Sequence, residues 1–572
     1  MRCVPMRHGN FFSLVEALDY AATGNTGMNF YDRKNHLVSS FTYRMLKERA
    51  VKIARGLLGL GLQKGDRVAL IADTTATFVE VFFGCQYAGL VPVPLPIPMG
   101  VGQHATYVEK LRGLLSSCSP AAVCGSEEWL GLVREAAARS STMKILSGEA
   151  LEALEAVDVE LPLPLPDDIA YLQYTSGSTR FPRGVVITQR AVMANLQAIS
   201  QHGIKLGEGD RCVSWLPFYH DMGLVGFVLT PVATQLSVDY LRTQDFAMRP
   251  LQWLKLISRN RGSVSVAPPF GYNLCLRRCS DKDLAELDLS SWRVAGVGAE
   301  PVPFKVLSDF AERFASSGFK PGTLMPCYGL AENTLAVSFA DATKGLQADS
   351  IDRDVLEQTG RAVPSTMHTR AVNTYVNCGS ALPGHRLEVR NAHGKVLGER
   401  QVGQIFISGP SLMSGYFRDP ESQAQLQASA WLDTGDLGYL HEGNLYVTGR
   451  TKDLIIIRGR NIWPQDIELI AEAEPDVRPG DAIAFVAVQG DEPVVVMQVQ
   501  CRISAAAGRE QLLRSLSGRI QSEFGVNVDI QLVPPQSIPR TSSGKPARAE
   551  AKRRYLNMLD ALSRPQSVAF SG

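Results

Sequence analysis

No stretch of this chain is both long and apolar enough to cross a membrane. The most apolar region, Phe78 to Val101, is interrupted by Glu80 and by Pro92, Pro94, Pro96 and Pro98. Proline inside a helix removes a hydrogen bond and crowds the preceding turn, so this region is not a membrane helix. Met1 to Tyr20 holds no uninterrupted apolar segment of signal-peptide length. Charge of neither sign dominates: 58 Lys and Arg stand against 57 Asp and Glu, a formal net charge of +1. That balance excludes the basic field of a nucleic-acid binder and the polybasic anchor of a membrane-surface protein. Ten cysteines are scattered singly, with no zinc-type arrangement even at the closest pair, Cys275 and Cys279. Reduced, buried cysteines in a cytoplasmic protein are expected. Two nucleotide signatures are also missing. No segment fits G-x-x-x-x-G-K-S/T, and no G-x-G-x-x-G opens a helix after a strand. P-loop kinases and dinucleotide dehydrogenases are therefore poor candidates.

What is present begins with Tyr174-Thr175-Ser176-Gly177-Ser178-Thr179, with Pro182-Arg183-Gly184 close behind. Small hydroxyl residues and glycine fill a short loop between the apolar segments Ile169–Leu172 and Val185–Ile187. Such a loop can turn several N–H and hydroxyl groups toward one point, which suits the oxygens of a polyphosphate. An ordinary Ser/Gly-rich hairpin has the same composition, so the weight falls on the motifs farther along the chain.

At 572 residues the chain exceeds what one core normally supports, and at least two domains are expected. From Arg67 to about Gly329, β-branched runs alternate with amphipathic stretches: Arg67–Ile71, then Ala76 to Ala88, later Val264–Val266 and then Phe270 to Arg278. This predicts an α/β fold, a large amino-terminal domain of parallel-rich sheets flanked by helices, with ligands at the carboxyl ends of strands. Pro162–Pro166 reads as an extended connector. From Gln404 to Gly449, short strands with Gly and Asn turns such as His441-Glu442-Gly443-Asn444 predict a β-rich subdomain. After Arg450 a small α+β domain is expected: apolar Leu454–Ile457, a helix from about Pro464, strands at 482–488 and 494–499, a helix over 509–524, a strand near 528–532 and a basic terminal helix.

Seven motifs stand in order: Tyr174–Thr179, Trp215–Gly223, Gly296–Glu300, Tyr328–Glu332, Trp431–Asp436, Gly449–Asp453 and Arg540–Lys545. This set resembles the adenylate-forming superfamily of acyl-CoA synthetases, peptide-synthetase adenylation domains and luciferases, from about Phe41 onward. The resemblance implies residue roles. Thr175, Ser176, Gly177, Ser178 and Thr179 would grip the β- and γ-phosphates of ATP, and Glu332 would hold Mg²⁺, a hard cation that prefers oxygen ligands. Tyr328 would stack on adenine, with Gly298, Ala299 and Glu300 lining the base pocket and Gly329 close by. Asp436 would accept hydrogen bonds from the ribose, and Arg450 would donate to the sugar and its phosphate. Lys545 would neutralise charge as the carboxylate attacks the α-phosphorus. Thr175, Glu332 and Lys545 are the catalytic set, and Lys452 takes the position of the interdomain hinge, making the segment 451–572 a mobile domain behind an amino-terminal domain over 1–450. Two residues depart from the pattern: Arg183 replaces the usual phosphate-loop lysine and Arg180 a usual glycine.

The acid is read from His220, Asp221, Met222, Gly223, Gly329 and Leu330, and from the neighbouring apolar helix with Leu224, Val225, Phe227, Val228, Leu229 and Val232. An alkyl tunnel fits these residues, although the same spacing also describes plain core. Asp221 leaves an amino-acid substrate open, and His220 either gates the tunnel or is a packed histidine. A long, irregular insertion from Asp341 to about Tyr375, together with Arg458–Pro464, makes the chain similar to the fatty acyl-AMP ligase branch. In that branch the insertion docks the two domains against use of CoA. The resemblance thus implies ATP as substrate, Mg²⁺, a medium- or long-chain fatty acid, and the phosphopantetheine thiol of an acyl carrier protein, or of a carrier domain of a polyketide or peptide synthase, as acceptor. No nucleic acid and no integral membrane segment are expected. A fatty acyl-CoA synthetase is the alternative, and a silent acyl-adenylate binder, supported by Arg180 and Arg183, the third reading.

Overall fold

The computed structural model describes residues 4–98, 104–137, 143–175, 182–457, 460–478, 480–489, 492–541 and 546–563. A nine-stranded sheet runs in the order Ser380–Ala381, Ala336–Phe339, Leu324–Gly329, Val294–Val297, Val264–Ala267, Arg211–Ser214, Ser237–Leu241, Gly27–Tyr31, Leu37–Thr42. Its centre is parallel and its two flanks are antiparallel. A second, wholly parallel sheet pairs Val91–Leu95, Arg67–Ile71, Ala122–Cys124 and Lys144–Leu146. The helix Ala76–Ala88 is buried on all sides from Phe78 onward, as a helix between packed sheets must be. Glu80 is buried there too, where it pairs with Arg49 at 2.5 Å. Pro92 and Pro94 sit in the outermost strand of the second sheet, the place where a missing N–H costs no ladder bond.

The apolar segment after Gly223 is helical, as its spacing predicts, but it is not a uniform α-helix. Leu224–Leu229 is a π-turn joined to an α-turn over Thr230–Ala233. Pro231 has no N–H to give the Phe227 carbonyl four residues back. Tyr240 supplies the missing donor, its hydroxyl lying 2.6 Å from that oxygen, while the Thr230 hydroxyl donates to the Val225 carbonyl at 2.8 Å.

Past the sheets, Arg386–Arg390, Gly403–Ser408, Leu432–His441 and Asn444–Arg450 form an antiparallel four-stranded sheet. Its last hairpin turns on Glu442 (φ 50°) and Gly443 (φ 71°), the two left-handed residues of a tight turn. The carboxyl-terminal residues build their own sheet from Ala482–Gln489, Glu492–Gln500 and Val528–Val533. Alternation assigns its faces. Ala482, Ala484, Val495 and Met497 pack with Ile467, Leu516 and Ile520, and Ile483, Phe485 and Val496 pack with Ala551 and Tyr555 of the last helix.

The 341–375 insertion is not irregular. Ala348–Asp352 pairs antiparallel with Val372–Val376, and Arg353–Thr359 between them is helical. Asp352 caps that helix by accepting from the Val355 N–H at 3.1 Å, and Gly360 (φ 67°) ends it. Of its apolar residues, Ile351 and Leu356 are fully buried against Tyr439, Tyr446 and Trp463, while Val363, Met367 and Val372 stay exposed. Nine described cysteines are free thiols, seven of them buried. Among the described residues, no helix is long and apolar enough to cross a membrane.

Candidate active site

The strands Ile169–Tyr174 and Gly184–Thr188 form an antiparallel pair with Tyr174 opposite Gly184. The loop between them is therefore drawn closed at its base, where the Thr175 N–H donates to the Arg183 carbonyl at 3.2 Å. Tyr174 fixes this base by donating to Ser117 Oγ at 2.8 Å. Ser176, Gly177, Ser178, Thr179 and Arg180 lie outside the described residues, as does Lys545.

Beside this base runs the segment Met413–Asp419, which sequence reasoning overlooks. The Ser414 N–H donates to the Val186 carbonyl, the Val186 N–H to Gly415 and the Phe417 N–H to Gly184. On its other side the Met413 N–H donates to the Glu332 carbonyl at 2.9 Å. The segment therefore ties the downstream arm of the phosphate loop to the Glu332 turn. Side chains repeat the tie: Tyr416 donates its hydroxyl to Glu332 Oε1 at 2.8 Å, and the Arg183 guanidinium lies 3.3 Å over the Tyr416 ring while pairing with Asp419 at 2.6 Å. Asp419 also caps the helix Pro420–Ser429. The sequence signal for these residues is an Asp-Pro helix start behind Gly415-Tyr416-Phe417, a pattern that reads as an ordinary turn.

Glu332 stands on a short 3₁₀ turn, Ala331–Asn333, after the strand Leu324–Gly329. Gly329 is required there, because a side chain at that position would meet the Leu335 carbonyl at 2.1 Å. Burial raises the Glu332 carboxyl above its ordinary range and the charge of Asp221 adds to the rise; the Tyr416 hydroxyl and the Arg450 guanidinium pull it down. Glu332 is thus a buried carboxylate that feels a second carboxylate and a single guanidinium, anionic oxygen of the hard kind that fits a divalent cation shared with phosphate. Among the described residues, no three His, Cys, Asp or Glu side chains form a protein-only metal cluster.

Tyr328 and Asp436 meet where the large sheet abuts the four-stranded one. The Tyr328 hydroxyl donates to Asp436 Oδ2 at 2.7 Å, and Arg450 Nε reaches Oδ1 at 3.2 Å from the opposed position of the next strand. Much of the Tyr328 ring is covered by Val337, Cys378, Ile405 and Leu445, with Leu330 packed alongside. Gly298 lies where a side chain would strike Cys327 at 2.8 Å, and Ala299 next to it holds φ 70°. A left-handed alanine is a strained backbone position of the kind found at binding sites. Glu300 is next, half-buried.

His220 caps the turn Asp221–Gly223, with Nδ1 2.6 Å from Asp221 Oδ1, and the Met222 N–H donates to the same carboxylate at 2.7 Å. Gly223 is packed so closely that a side chain would meet the Pro217 carbonyl at 2.2 Å. Gln173, two residues before Thr175, donates to the Tyr219 carbonyl at 2.7 Å and so links the phosphate-loop strand to this turn. Leu224, Val225, Phe227, Val228, Leu229 and Val232 are all buried in the principal core. Lys452 is exposed on the turn Thr451–Asp453, and its neighbour Asp453 pairs with Arg548 at 2.9 Å.

Residues from four of the motifs, Asp221, Tyr328 with Glu332, Asp436 and Arg450, therefore bear on one region, through contact or through each other's field. The chain belongs to the AMP-binding enzyme family, which it matches over residues 25–417. It is similar to a solved structure from work on fatty acyl-adenylate ligases of E. coli and L. pneumophila. That likeness has a TM-score of 0.95 and 64% identity, and covers 97% of this chain and 100% of the other. A Caulobacter vibrioides protein provisionally named acyl-CoA synthetase is 43% identical, with 96% of each chain covered. The Moorena producens medium-chain-fatty-acid–acyl-carrier-protein ligase JamA is 31% identical, again over 96% of each. Within its family the chain falls in the fatty acyl-AMP ligase branch, and it is an ATP-dependent enzyme.

Proposed function

We propose that this enzyme activates a medium- or long-chain fatty acid and hands it to a carrier protein. A carboxylate oxygen of the acid attacks the α-phosphorus of ATP, the bond to the β-phosphate oxygen breaks, and pyrophosphate leaves with its electron pair. The acyl-adenylate then meets the phosphopantetheine thiol of an acyl carrier protein; sulfur bonds to the acyl carbon and AMP departs. The residues divide this work by their chemistry. Thr175 and the loop after it cradle the outer phosphates, and Lys545 offsets charge at the α-phosphate. Asp436 and Arg450 hold the ribose, with Tyr328, Gly298, Ala299 and Glu300 around the base. Glu332 would hold Mg²⁺, which when bound neutralises phosphate charge. His220 to Gly223, with Gly329 and Leu330, face the acid. Two anions must be brought together, so positioning and charge screening are what a protein can contribute.

The observation that carries the choice of acceptor is the docked insertion. Arg353 reaches Glu523 at 3.4 Å and lies 4.3 Å over the Phe524 ring, Asn373 donates to Asp466 at 2.9 Å, and Leu356 packs with Trp463. A carboxyl-terminal unit held in this way resists the swing about Lys452 that CoA would need. Incubation with ATP, a fatty acid, CoA and a holo-carrier protein tests it: acyl-carrier should accumulate and acyl-CoA should not. Pyrophosphate exchange with none of the acids from C8 to C18 would remove the first half of the proposal. The second reading, a fatty acyl-CoA synthetase, is favoured by the name of the Caulobacter relative; abundant acyl-CoA in the same incubation would establish it.

A further inference from the structure

Arg183 departs from the phosphate-loop lysine of the family, and its position suggests what the change is for. A lysine ammonium is a point charge on a flexible stem; a guanidinium is a plane that can stack and fork at once. Arg183 does both. Its plane covers the Tyr416 ring at 3.3 Å and one nitrogen pairs with Asp419 at 2.6 Å. Tyr416, clamped on one side, spends its hydroxyl on Glu332 Oε1 at 2.8 Å. The backbone of the same segment is laced to Gly184 and Val186 on one side and to the Glu332 carbonyl, through Met413, on the other. Gly415, with φ 137°, permits the bend that aims Tyr416 inward.

We propose that Tyr416 is a positioning residue for the Glu332 carboxylate, and that Arg183 acts as the brace that holds Tyr416 in place. The inference rests on the reading of Glu332 as the residue that holds Mg²⁺. An ionised carboxylate has room for about four hydrogen bonds. One phenol occupies a single such place, fixes the carboxyl plane, and leaves the remainder for a cation and its phosphate partners. Arg183 and Glu332 then respond together: whatever orders the phosphate-loop base also orders the metal-binding oxygen. Asp221, Arg450 and Tyr416 are the charged and polar groups that bear on Glu332. Of these, Tyr416 is tied directly to the phosphate-loop arm by backbone bonds.

The test is the gain in ATP affinity that Mg²⁺ provides, measured by calorimetry on the whole protein with the ion and with chelator. Mn²⁺ binding monitored by electron paramagnetic resonance gives a second readout that needs no turnover. A hydrogen bond to a charged group is worth enough that Tyr416→Phe should cut the metal-dependent gain about tenfold, leaving metal-free ATP binding unchanged. Arg183→Lys keeps the charge but loses the stack, and should cut the gain in the same direction. Its exposed position makes it the second test should Tyr416→Phe fail to fold. Equal losses with and without metal, or no loss in either variant, would overturn the proposal. Glu332→Gln is the control on the underlying reading. It should abolish the gain, and a Glu332→Gln enzyme that keeps the full gain would remove both the reading and the proposal built on it.

Discussion

Asn373 of the insertion donates its amide to the Asp466 carboxyl at 2.9 Å, joining the hairpin strand Val372–Val376 to the first helix of the carboxyl-terminal residues. Burial pushes that carboxyl up to about 7; Glu357 and Glu468 push the same way, and Asn373 and Arg353 pull it down. In an unfolded chain an aspartate ionises near pH ~4. Between about pH 4 and 7 the folded protein therefore keeps a proton that the unfolded chain has released. The stability contributed at this site falls as pH rises through that window and is level above it. Against Asp466→Asn, the wild type should lose about 1–2 kcal/mol between pH 5 and pH 8, partial exposure reducing the full shift. Chemical denaturation of both proteins at the two pH values measures the difference.

Arg353 is the other tie across this seam. Its guanidinium is nearly buried, lies over Phe524, reaches Glu523, and sits 3.9 Å from the buried Glu357. Arg353→Ala removes the cation facing two carboxylates and should cost about 3 kcal/mol. With the seam loosened, acyl-CoA formation should rise relative to acyl-carrier formation. A stability loss with no change in that ratio would separate docking from acceptor choice.

How far the sequence alone reaches can be seen in these same elements. The strands at 482–488 and 494–499 are legible because both faces of that sheet are covered, so every position but Gln498 is apolar. Asp436 and Arg450, placed together by their motifs, do face each other across one hairpin. The insertion hairpin was not legible, since its strands are five residues each and are stabilised by Tyr439 and Trp463, far away in sequence. Tyr416 was hidden for the same reason: its meaning lies in Glu332, 84 residues back. The π-turn at Leu224–Leu229 has the apolar spacing of an α-helix, and only Pro231 hints at the lost bond.

Arg548, the first residue of the last helix, links that helix to the expected hinge. Its nitrogens reach Asp453 at 2.9 Å, Glu468 at 2.6 Å and the Ala484 carbonyl at 2.7 Å, charge-assisted bonds made between side chains that are all part-buried. Lys545 is three positions away in sequence, and Arg540 and Pro546 form a β-bridge across the base of its loop. Arg548→Met should cost about 3 kcal/mol. If Lys545 serves adenylation as proposed, the substitution should also slow pyrophosphate exchange by at least about tenfold while acyl transfer from supplied acyl-adenylate falls less. Arg548→Lys, which keeps one pair, should recover part of the exchange rate.

Gly223 offers a test of the turn proposed to face the acid in which no charged residue is substituted. A side chain there would lie 2.2 Å from the Pro217 carbonyl and 3.2 Å from the Leu216 carbonyl carbon, both backbone atoms that cannot rotate aside. Gly223→Ala must therefore displace either the turn Asp221–Gly223 or the Trp215–Pro217 segment. Overpacking of this kind costs about 1–3 kcal/mol. Displacing the turn also moves Asp221 and Met222, so kcat/KM for the fatty acid should fall about tenfold or more, while ATP affinity, which the proposed function places on Tyr328, Asp436 and Arg450, should stay near wild type. Steady-state pyrophosphate release with each substrate varied in turn reads both quantities. Equal losses for acid and ATP would mean that the turn supports the whole site rather than the acid alone.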